Sequence, residues 1–206
     1  MPDTFPDYSS VAYWNSRYEA EGDVSYDWLL SYAQLRSVIV PRLPNKQAEI
    51  LILGCGNSSL SEELYNEGYL CISNVDFSPV VIQRMSDRYQ HFETMEFAVM
   101  DAQNLEFPDN CFNLVVDKGT LDCILCNENS FAKALTVLRN VHRVLAPGGI
   151  YILVSYGVPD TRVGYLKNRQ FSWKVEHARI AKFPLDSFDA MEASPYNFVY
   201  VCTKPG

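Results

Sequence analysis

Glycines and acids at the ends of predicted strands give this sequence its first chemical indications. Gly54 and Gly56 follow four branched apolar residues, Ile50-Leu51-Ile52-Leu53, which predict a strand buried on both faces. Without side chains, the backbone can turn sharply at these glycines and approach a ligand closely. Residues 60–65 then predict a helix. A strand, a glycine turn and a helix in this order are typical of α/β folds that bind nucleotide-like cofactors.

Three acids lie at or directly after the ends of later predicted strands. They are Asp76, Asp101 and Asp117, and the strands cover residues 71–76, 95–100 and 112–117. Asp76 lies about twenty residues beyond the glycine turn, where a carboxylate can accept the hydrogen bonds of an adenosine ribose. Any one of these acids could be an ordinary cap or turn residue. Because parallel strands end at the same edge of a sheet, the three together favour a shared ligand site.

Two classes of cofactor fit this pattern. A dinucleotide usually requires G-x-G-x-x-G before a helix that receives its pyrophosphate, and Ser59 stands at the third glycine position here. S-adenosylmethionine carries no phosphate. It requires a tight glycine turn, a ribose carboxylate, a second acid near the adenine, and aromatic or backbone walls. The sequence supplies these features in order and therefore favours S-adenosylmethionine.

The elements that position these residues alternate between strand and helix from residue 48 onward, which indicates a mostly parallel sheet. A long helix, with a break near residues 127–129, stops at Pro147-Gly148-Gly149 before a fifth strand at residues 150–155. Strands at residues 171–180 and 197–202 follow with little helix between them. We predict an α/β fold: a Rossmann-like, seven-stranded, mostly parallel sheet with a C-terminal antiparallel hairpin and helices on both faces.

We predict one domain over residues 1–206, in which residues 1–45 are an aromatic-rich helical segment and residues 46–206 are the core. Apolar residues at helical spacing predict one or two helices in this N-terminal segment. Trp14, Tyr18 and Trp28 could simply pack the segment against the core. Alternatively, they could form a lid over a cofactor. The residues alone leave both interpretations open.

Composition narrows the class of protein. A net charge of −8 disfavours binding to the phosphate backbone of a nucleic acid and suits a cationic ligand or a basic protein partner. No apolar run in the sequence is long enough to span a bilayer, and the N-terminal residues show no signal-peptide pattern. We expect a cytoplasmic monomer without nucleic-acid or membrane partners.

The cysteines indicate reduced thiols rather than a disulfide framework, because all six are scattered along the chain. Cys123 and Cys126 form a CxxC, but no second pair or nearby histidine completes a zinc site. We expect buried core thiols at these two positions and no bound metal.

Together, the motifs resemble those of class I, seven-stranded S-adenosylmethionine-dependent methyltransferases. The matching strings are Leu53-Gly54-Cys55-Gly56-Asn57-Ser58, Val75-Asp76, Met100-Asp101-Ala102 and Leu145-Ala146-Pro147-Gly148-Gly149. The resemblance covers residues 48–203. It implies the fold and the cofactor, and it says little about the substrate.

A narrower resemblance is to the eukaryotic lysine methyltransferases that act on translation elongation factor 1-alpha. Its strings are Tyr13-Trp14, Arg17-Tyr18, Tyr26-Asp27-Trp28 and, most distinctively, Asp117-Lys118-Gly119-Thr120-Leu121-Asp122. It implies a protein substrate of the elongation factor 1-alpha type and N-terminal aromatics that line the cofactor site. The implied cofactor-binding residues are Trp14, Tyr18, Trp28, Gly54, Gly56, Asp76, Asp101, Ala102 and Lys118.

Methyl transfer requires the protein mainly to position the reactants, because the cofactor carries the leaving group. A lysine acceptor must arrive neutral, which a desolvated pocket or a carboxylate base can favour. Asp117 and Asp122 are candidate bases, but proximity alone could suffice. Three alternatives stay open: a small-molecule methyltransferase, a non-catalytic binding module with this fold and, least favoured, a dehydrogenase.

Overall fold

The computed structural model describes residues 6–127, 130–182 and 194–206. Its helices are α1 (Val11–Glu21), α2 (Tyr32–Ile39), α3 (Leu60–Asn66), α4 (Pro79–Arg88), α5 (Thr120–Leu125), α6 (Ser130–Val144) and α7 (Pro159–Leu166). Its strands are β1 (Ile50–Leu53), β2 (Ile72–Asp76), β3 (Met95–Val99), β4 (Phe112–Lys118), β5 (Leu145–Ser155), β6 (Lys174–Ala181) and β7 (Tyr196–Thr203). A short 3-10 turn, Val40–Arg42, follows α2.

The strands form one sheet in the order β3-β2-β1-β4-β5-β7-β6. Strands β1 to β5 pair in parallel, whereas β7 runs antiparallel to both of its neighbours, β5 and β6. The chain builds outward from β1 to β3 and then returns to β4, so the strand order reverses beside β1. Ligands of open α/β sheets bind at this kind of switch point. The predicted mostly parallel sheet and its C-terminal antiparallel hairpin are confirmed.

Both faces of the sheet are covered, which explains the uninterrupted apolar sequence of β1. Ile50 and Ile52 pack with side chains of α1 to α4 on one face. Leu51 and Leu53 pack with side chains of α5 to α7 on the other. Successive residues of a strand point to opposite faces, so a strand buried on both must be apolar throughout. The predicted helices on both faces are therefore present.

The N-terminal segment belongs to the first of these two cores. Trp14 and Tyr18 of α1 are buried in it. Arg84 of α4 donates hydrogen bonds to the carbonyl oxygens of Tyr18 (2.6 Å) and Gly22 (2.5 Å). These bonds satisfy carbonyls that the end of a helix leaves unpaired. The same bonds hold the first residue of the loop between α1 and α2, residues 22–31, against α4.

Two elements differ from the sequence prediction. Strand β5 begins at Leu145, so Pro147-Gly148-Gly149 lies inside the strand, where its register against β4 shifts. Helix α7 was not predicted, although it begins with a proline, as helices often do. The predicted break near residues 127–129 falls partly outside the described residues and is flanked by α5 and α6. None of the described helices combines the length and apolar character needed to cross a membrane.

Candidate active site

A cavity of about 440 Å³ lies at the carboxyl ends of the parallel strands. The residues that the sequence predicted to bind a cofactor all line it: Trp14, Tyr18, Trp28, Gly54, Gly56, Asp76, Asp101, Ala102 and Lys118. The structure thus brings these residues together at one cavity. The contact of each with a cofactor stays a prediction. The residues from Gly54 to Lys118 meet here because parallel strands end at one edge of the sheet.

The glycine turn is bare because the surrounding structure leaves no room for side chains. Gly54 and Gly56 both have positive φ angles, +67° and +51°. A Cβ atom on Gly54 would lie 1.9 Å from Oγ1 of Thr120, which donates a hydrogen bond to the carbonyl oxygen of Leu53. A Cβ atom on Gly56 would lie 2.9 Å from the hydroxyl oxygen of Tyr18. The turn therefore presents backbone, and not side chains, to the cavity.

Asp76 is buried at the end of β2, and its carboxylate is held by backbone donors. Oδ2 accepts from the amide of Gly56 at 3.0 Å, and Oδ1 accepts from the amide of Ser78 at 2.9 Å. Burial raises the pKa of Asp76 to about 6, against these hydrogen bonds, which lower it. A carboxylate offers about four acceptor sites, so each oxygen retains capacity for a ligand hydroxyl group.

Asp101 occupies the β3 end of the same cavity and is exposed there. Its Oδ1 accepts a hydrogen bond from the backbone amide of Gln103 at 2.8 Å. This bond forms a local turn that fixes the carboxylate beside Ala102. Asp76 and Asp101 thus mark neighbouring strands, β2 and β3, at one end of the cavity.

Aromatic side chains of the N-terminal segment form a further wall of the cavity. Trp14 and Tyr18 lie in the core and line the cavity at once, so packing and cavity lining are not alternatives for them. The Trp28 ring meets the Trp14 ring edge-on, with centroids 6.1 Å apart. Cζ of Arg17, in α1, lies 4.6 Å from the centroid of the Trp28 ring. Such contacts fix the orientation of the rings.

The loop that carries Trp28 is held by a polar contact with the end of β4. Asp27 accepts from the Lys118 ammonium group at 2.9 Å and from the hydroxyl groups of Ser58 and Ser59. Lys118 also donates to the carbonyl oxygen of Trp28 at 3.2 Å. The Lys118 side chain is therefore committed to the N-terminal segment, although the residue lines the cavity.

The two candidate bases occupy different positions. Asp117 lies outside the cavity lining, fully buried, and accepts hydrogen bonds from the Thr120 amide (2.8 Å) and the Tyr151 hydroxyl (3.0 Å). Asp122 lines the cavity, but its carboxylate binds Arg162, Ser155 and the backbone amide of Tyr156. The structure brings Asp122 and not Asp117 to the cavity, and it gives both carboxylates structural partners.

The expectation of buried thiols is wrong for Cys126, which is exposed, and holds only in part for Cys123, which is half-buried. Both line the cavity on α5 and the residue after it. Burial raises the pKa of Cys123 to about 12, so it stays a thiol at neutral pH. Within the residues that the structure describes, no cluster of three or more potential metal-ligating side chains occurs.

Comparison with known proteins identifies the family. A family model described as a methyltransferase domain matches residues 44–193. A relative from Mus musculus, named EEF1A lysine methyltransferase 4, is 35% identical in an alignment of 186 positions that covers 86% of this chain and 72% of the relative. The chain belongs to the methyltransferase family. A Bos taurus relative of this methyltransferase, named eEF1A lysine and N-terminal methyltransferase, is 37% identical over 99% of the chain but 30% of the relative.

Solved structures share the fold of this methyltransferase at low identity. The N-methyltransferase NodS from Bradyrhizobium japonicum, in complex with S-adenosyl-L-homocysteine, superposes with a TM-score of 0.63 at 17% identity, over 85% of this chain and 83% of NodS. The [4+2]-cyclase SpnF gives 0.67 at 16% identity, over 97% of this chain and 93% of SpnF. A fold shared with a cyclase does not by itself determine the reaction.

S-adenosylmethionine is the cofactor of this methyltransferase, and the cavity fits it. Asp76 retains acceptor capacity for the two ribose hydroxyl groups. Gly54 and Gly56 leave a bare backbone surface for the amino-acid tail, and Asp101 with Ala102 lies beside β3, where the adenine would be held. The sequence analysis missed Tyr156 as a cavity residue. It also missed Asp27, which holds the loop beside the cavity through Lys118. A signal existed for Tyr156, which directly follows the carboxyl end of the fifth strand.

Proposed function

We propose that this methyltransferase methylates a lysine side chain of a protein of the elongation factor 1-alpha type. The observation that carries the proposal is the match to EEF1A lysine methyltransferase 4 at 35% identity over 86% of the chain. At this coverage, the match must include residues of both the N-terminal segment and the sheet core. The net charge of −8 supports the proposal further, because it favours a basic protein partner.

The cavity supports an amine acceptor. When bound, S-adenosylmethionine supplies an activated methyl group on a sulfonium. The apolar walls formed by Trp28 and Leu29 would shield the acceptor from water and lower the pKa of an amine by desolvation. Asp122 and Asp117 both hold structural partners, so the geometry favours a desolvated pocket over a dedicated carboxylate base as the means of keeping the amine neutral.

We further propose that the N-terminal segment covers the bound cofactor. Support comes from Trp14, Tyr18 and Trp28, which line the cavity, and from Asp27, which ties the loop to Lys118.

We also propose a cytoplasmic location. All six cysteines are free thiols, which suits a reducing compartment. Cell fractionation, with the protein detected by an antibody, tests this location.

The function is tested with the purified protein and methyl-labelled S-adenosylmethionine in a cell lysate. We expect one labelled band of the size of elongation factor 1-alpha, and mass spectrometry should place the methyl group on a lysine. Asp76→Asn is the control, because loss of cofactor binding should abolish the band. Label found only in small molecules would instead identify a small-molecule methyltransferase. Cofactor binding by calorimetry without any transfer would identify a binding module.

A further inference from the structure

Tyr156 is an aromatic residue at the cavity that no part of the cofactor argument uses. It directly follows Ser155, the last residue of β5, and half of it (51%) is exposed. It lines the cavity, and its hydroxyl oxygen lies 3.8 Å from Sγ of Cys126, which follows α5. Tyr156 therefore stands where β4 and β5 end, on the side of the cavity away from Asp101.

A buried ion pair holds Tyr156 in this position. Oδ2 of Asp122 accepts from the backbone amide of Tyr156 at 3.0 Å, and Oδ1 accepts from Nη2 of Arg162 at 2.9 Å. Both side chains of the pair are nearly inaccessible to solvent, at 4% and 8% exposure. Cζ of Arg162 lies 5.4 Å from the centroid of the Tyr156 ring. The pair thus orients both the backbone and the ring of Tyr156.

Neighbouring residues rigidify the same turn. The Gly157 amide donates to Oγ of Ser155 at 2.9 Å, and the Tyr200 hydroxyl donates to the Gly157 carbonyl oxygen at 2.6 Å. A Cβ atom on Gly157 would lie 2.3 Å from Cζ of Arg162, so a glycine is required where the guanidinium packs. A half-exposed ring on so constrained a turn is preorganised for a contact.

The layout of the cavity indicates what Tyr156 contacts. Asp101 and Asp76 end β3 and β2, so the adenosine of the cofactor belongs to that end of the cavity. The glycine turn after β1 lies next in the sheet order. The acceptor must enter from the remaining side, where β4 and β5 end and where Tyr156 and Cys126 line the cavity.

We propose that the ring of Tyr156 positions the acceptor amine and its alkyl stem, and that Asp122 and Arg162 act as positioning residues through it. This inference rests on the function proposed above. An aromatic face attracts an arriving ammonium group and packs against methylene groups, and neither contact requires a proton transfer. Burial raises the pKa of Tyr156 to about 12, so the phenol is neutral at working pH. Asp122 in this arrangement is a support and not a base.

The inference is tested with purified elongation factor 1-alpha as acceptor and three variants. Tyr156→Ala should raise the KM for the acceptor and lower kcat/KM about tenfold, because a cation–π contact of this kind contributes about that factor. Its Kd for S-adenosylmethionine, by calorimetry, should stay within about twofold of wild type. Tyr156→Phe keeps the ring and should restore most of the activity. Phe131→Ala removes an exposed aromatic outside the cavity lining and should change nothing.

Each other outcome has a definite meaning. An unchanged acceptor KM in Tyr156→Ala would overturn the inference, and so would an equal loss of cofactor affinity, which would assign Tyr156 to the cofactor. Failure of the wild type to methylate elongation factor 1-alpha would overturn the proposed function instead. If the wild type then methylates a small amine such as n-butylamine, Tyr156→Ala should still raise the KM for that amine. Unchanged KM there would overturn the inference independently.

Discussion

The ammonium group of Lys118 lies 2.9 Å from a carboxylate oxygen of Asp27, across ninety-one positions of sequence. Lys118 ends β4, and Asp27 lies in the loop between α1 and α2. The pair is largely buried, with exposures of 7% and 19%. Burial lowers the pKa of Lys118, and the charge of Asp27 opposes that shift. The N-terminal segment is therefore tied to the sheet beside the cavity by charge as well as by packing.

Asp27→Ala should loosen this connection. It leaves a buried ammonium group without its partner, which typically costs about 3–5 kcal/mol, and it frees Trp28 from its fixed position. We expect a large drop in the free energy of unfolding, measured by urea denaturation, and weaker S-adenosylmethionine binding by calorimetry. Asp23→Ala is the matched control, because Asp23 is 88% exposed in its pair with Arg84 and should contribute less than about 1 kcal/mol. Equal effects of the two variants would contradict the prediction.

Gly54→Ala should abolish cofactor binding. Alanine is strained at a φ of +67°, at about 1–2 kcal/mol, and its Cβ atom would lie 1.9 Å from Oγ1 of Thr120. Calorimetry should detect no binding, and the added variant Thr120→Ala should relieve the steric overlap and recover stability in part. Gly164→Ala is the control. Gly164 has no heavy atom within 4 Å of its Cβ position and lies within α7, so alanine there should be neutral or stabilising.

Cofactor affinity should decrease as the solution is acidified. The pKa of Asp76 is raised to about 6, and a ribose binds best to the ionised carboxylate. At pH 5 only about one tenth of the carboxylate is ionised, so the Kd should be about tenfold higher than at pH 7. Calorimetry over this range measures it. Asp76→Asn should bind weakly at every pH, and a wild-type Kd that does not change between pH 5 and 7 would contradict the assignment.

The stability of the protein should carry a signature of Asp117. Burial raises the pKa of Asp117 from 3.8 to about 7. A folded-state pKa above the unfolded value contributes stability that is fully present below pH 4 and lost as the pH rises through 7. Asp117→Asn removes this dependence. The difference in free energy of unfolding, variant minus wild type, should therefore grow by roughly 2–4 kcal/mol from pH 4 to pH 8.

Tyr151→Phe tests the same environment in the opposite direction. It removes the hydroxyl group that donates to Oδ2 of Asp117 at 3.0 Å and that lowers the pKa of the carboxyl. This variant should be less stable than wild type at pH 8 and closer to it at pH 4, by chemical denaturation. Parallel stability curves for wild type and both variants across this range would exclude Asp117 as the titrating group.

Much of the fold was predictable from sequence because local rules determine it. β1 occupies the predicted residues, Ile50–Leu53, since a strand buried on both faces must be uniformly apolar. The helix at Pro79–Arg88 has the expected Ser78 cap and proline in its first turn. The start of β5 was not predictable in this way. A proline and two glycines usually end an element, but here the residues on either side of them pair with β4, Leu145 with Phe112 and Ile150 with Leu114.

The position of each side chain at the cavity was less predictable, because it depends on strand alternation and on distant partners. Asp117 and Lys118 are neighbours at the end of β4, yet Asp117 points to Tyr151 and Lys118 to Asp27. The motif that contains both does not indicate which one faces the ligand. The pairing of Asp122 with Arg162 required the position of α7, which the sequence analysis did not identify.

The position of β7 between β5 and β6 has a consequence for synthesis. A ribosome releases β6 before the strand that must separate it from β5. Until β7 inserts, β5 and β6 both present open edges that could pair with other chains. The strands that end at the cavity, β1 to β5, are already complete at that stage. Nascent chains are therefore vulnerable to aggregation after β1 to β5 have been translated and before β7 has paired with β5 and β6.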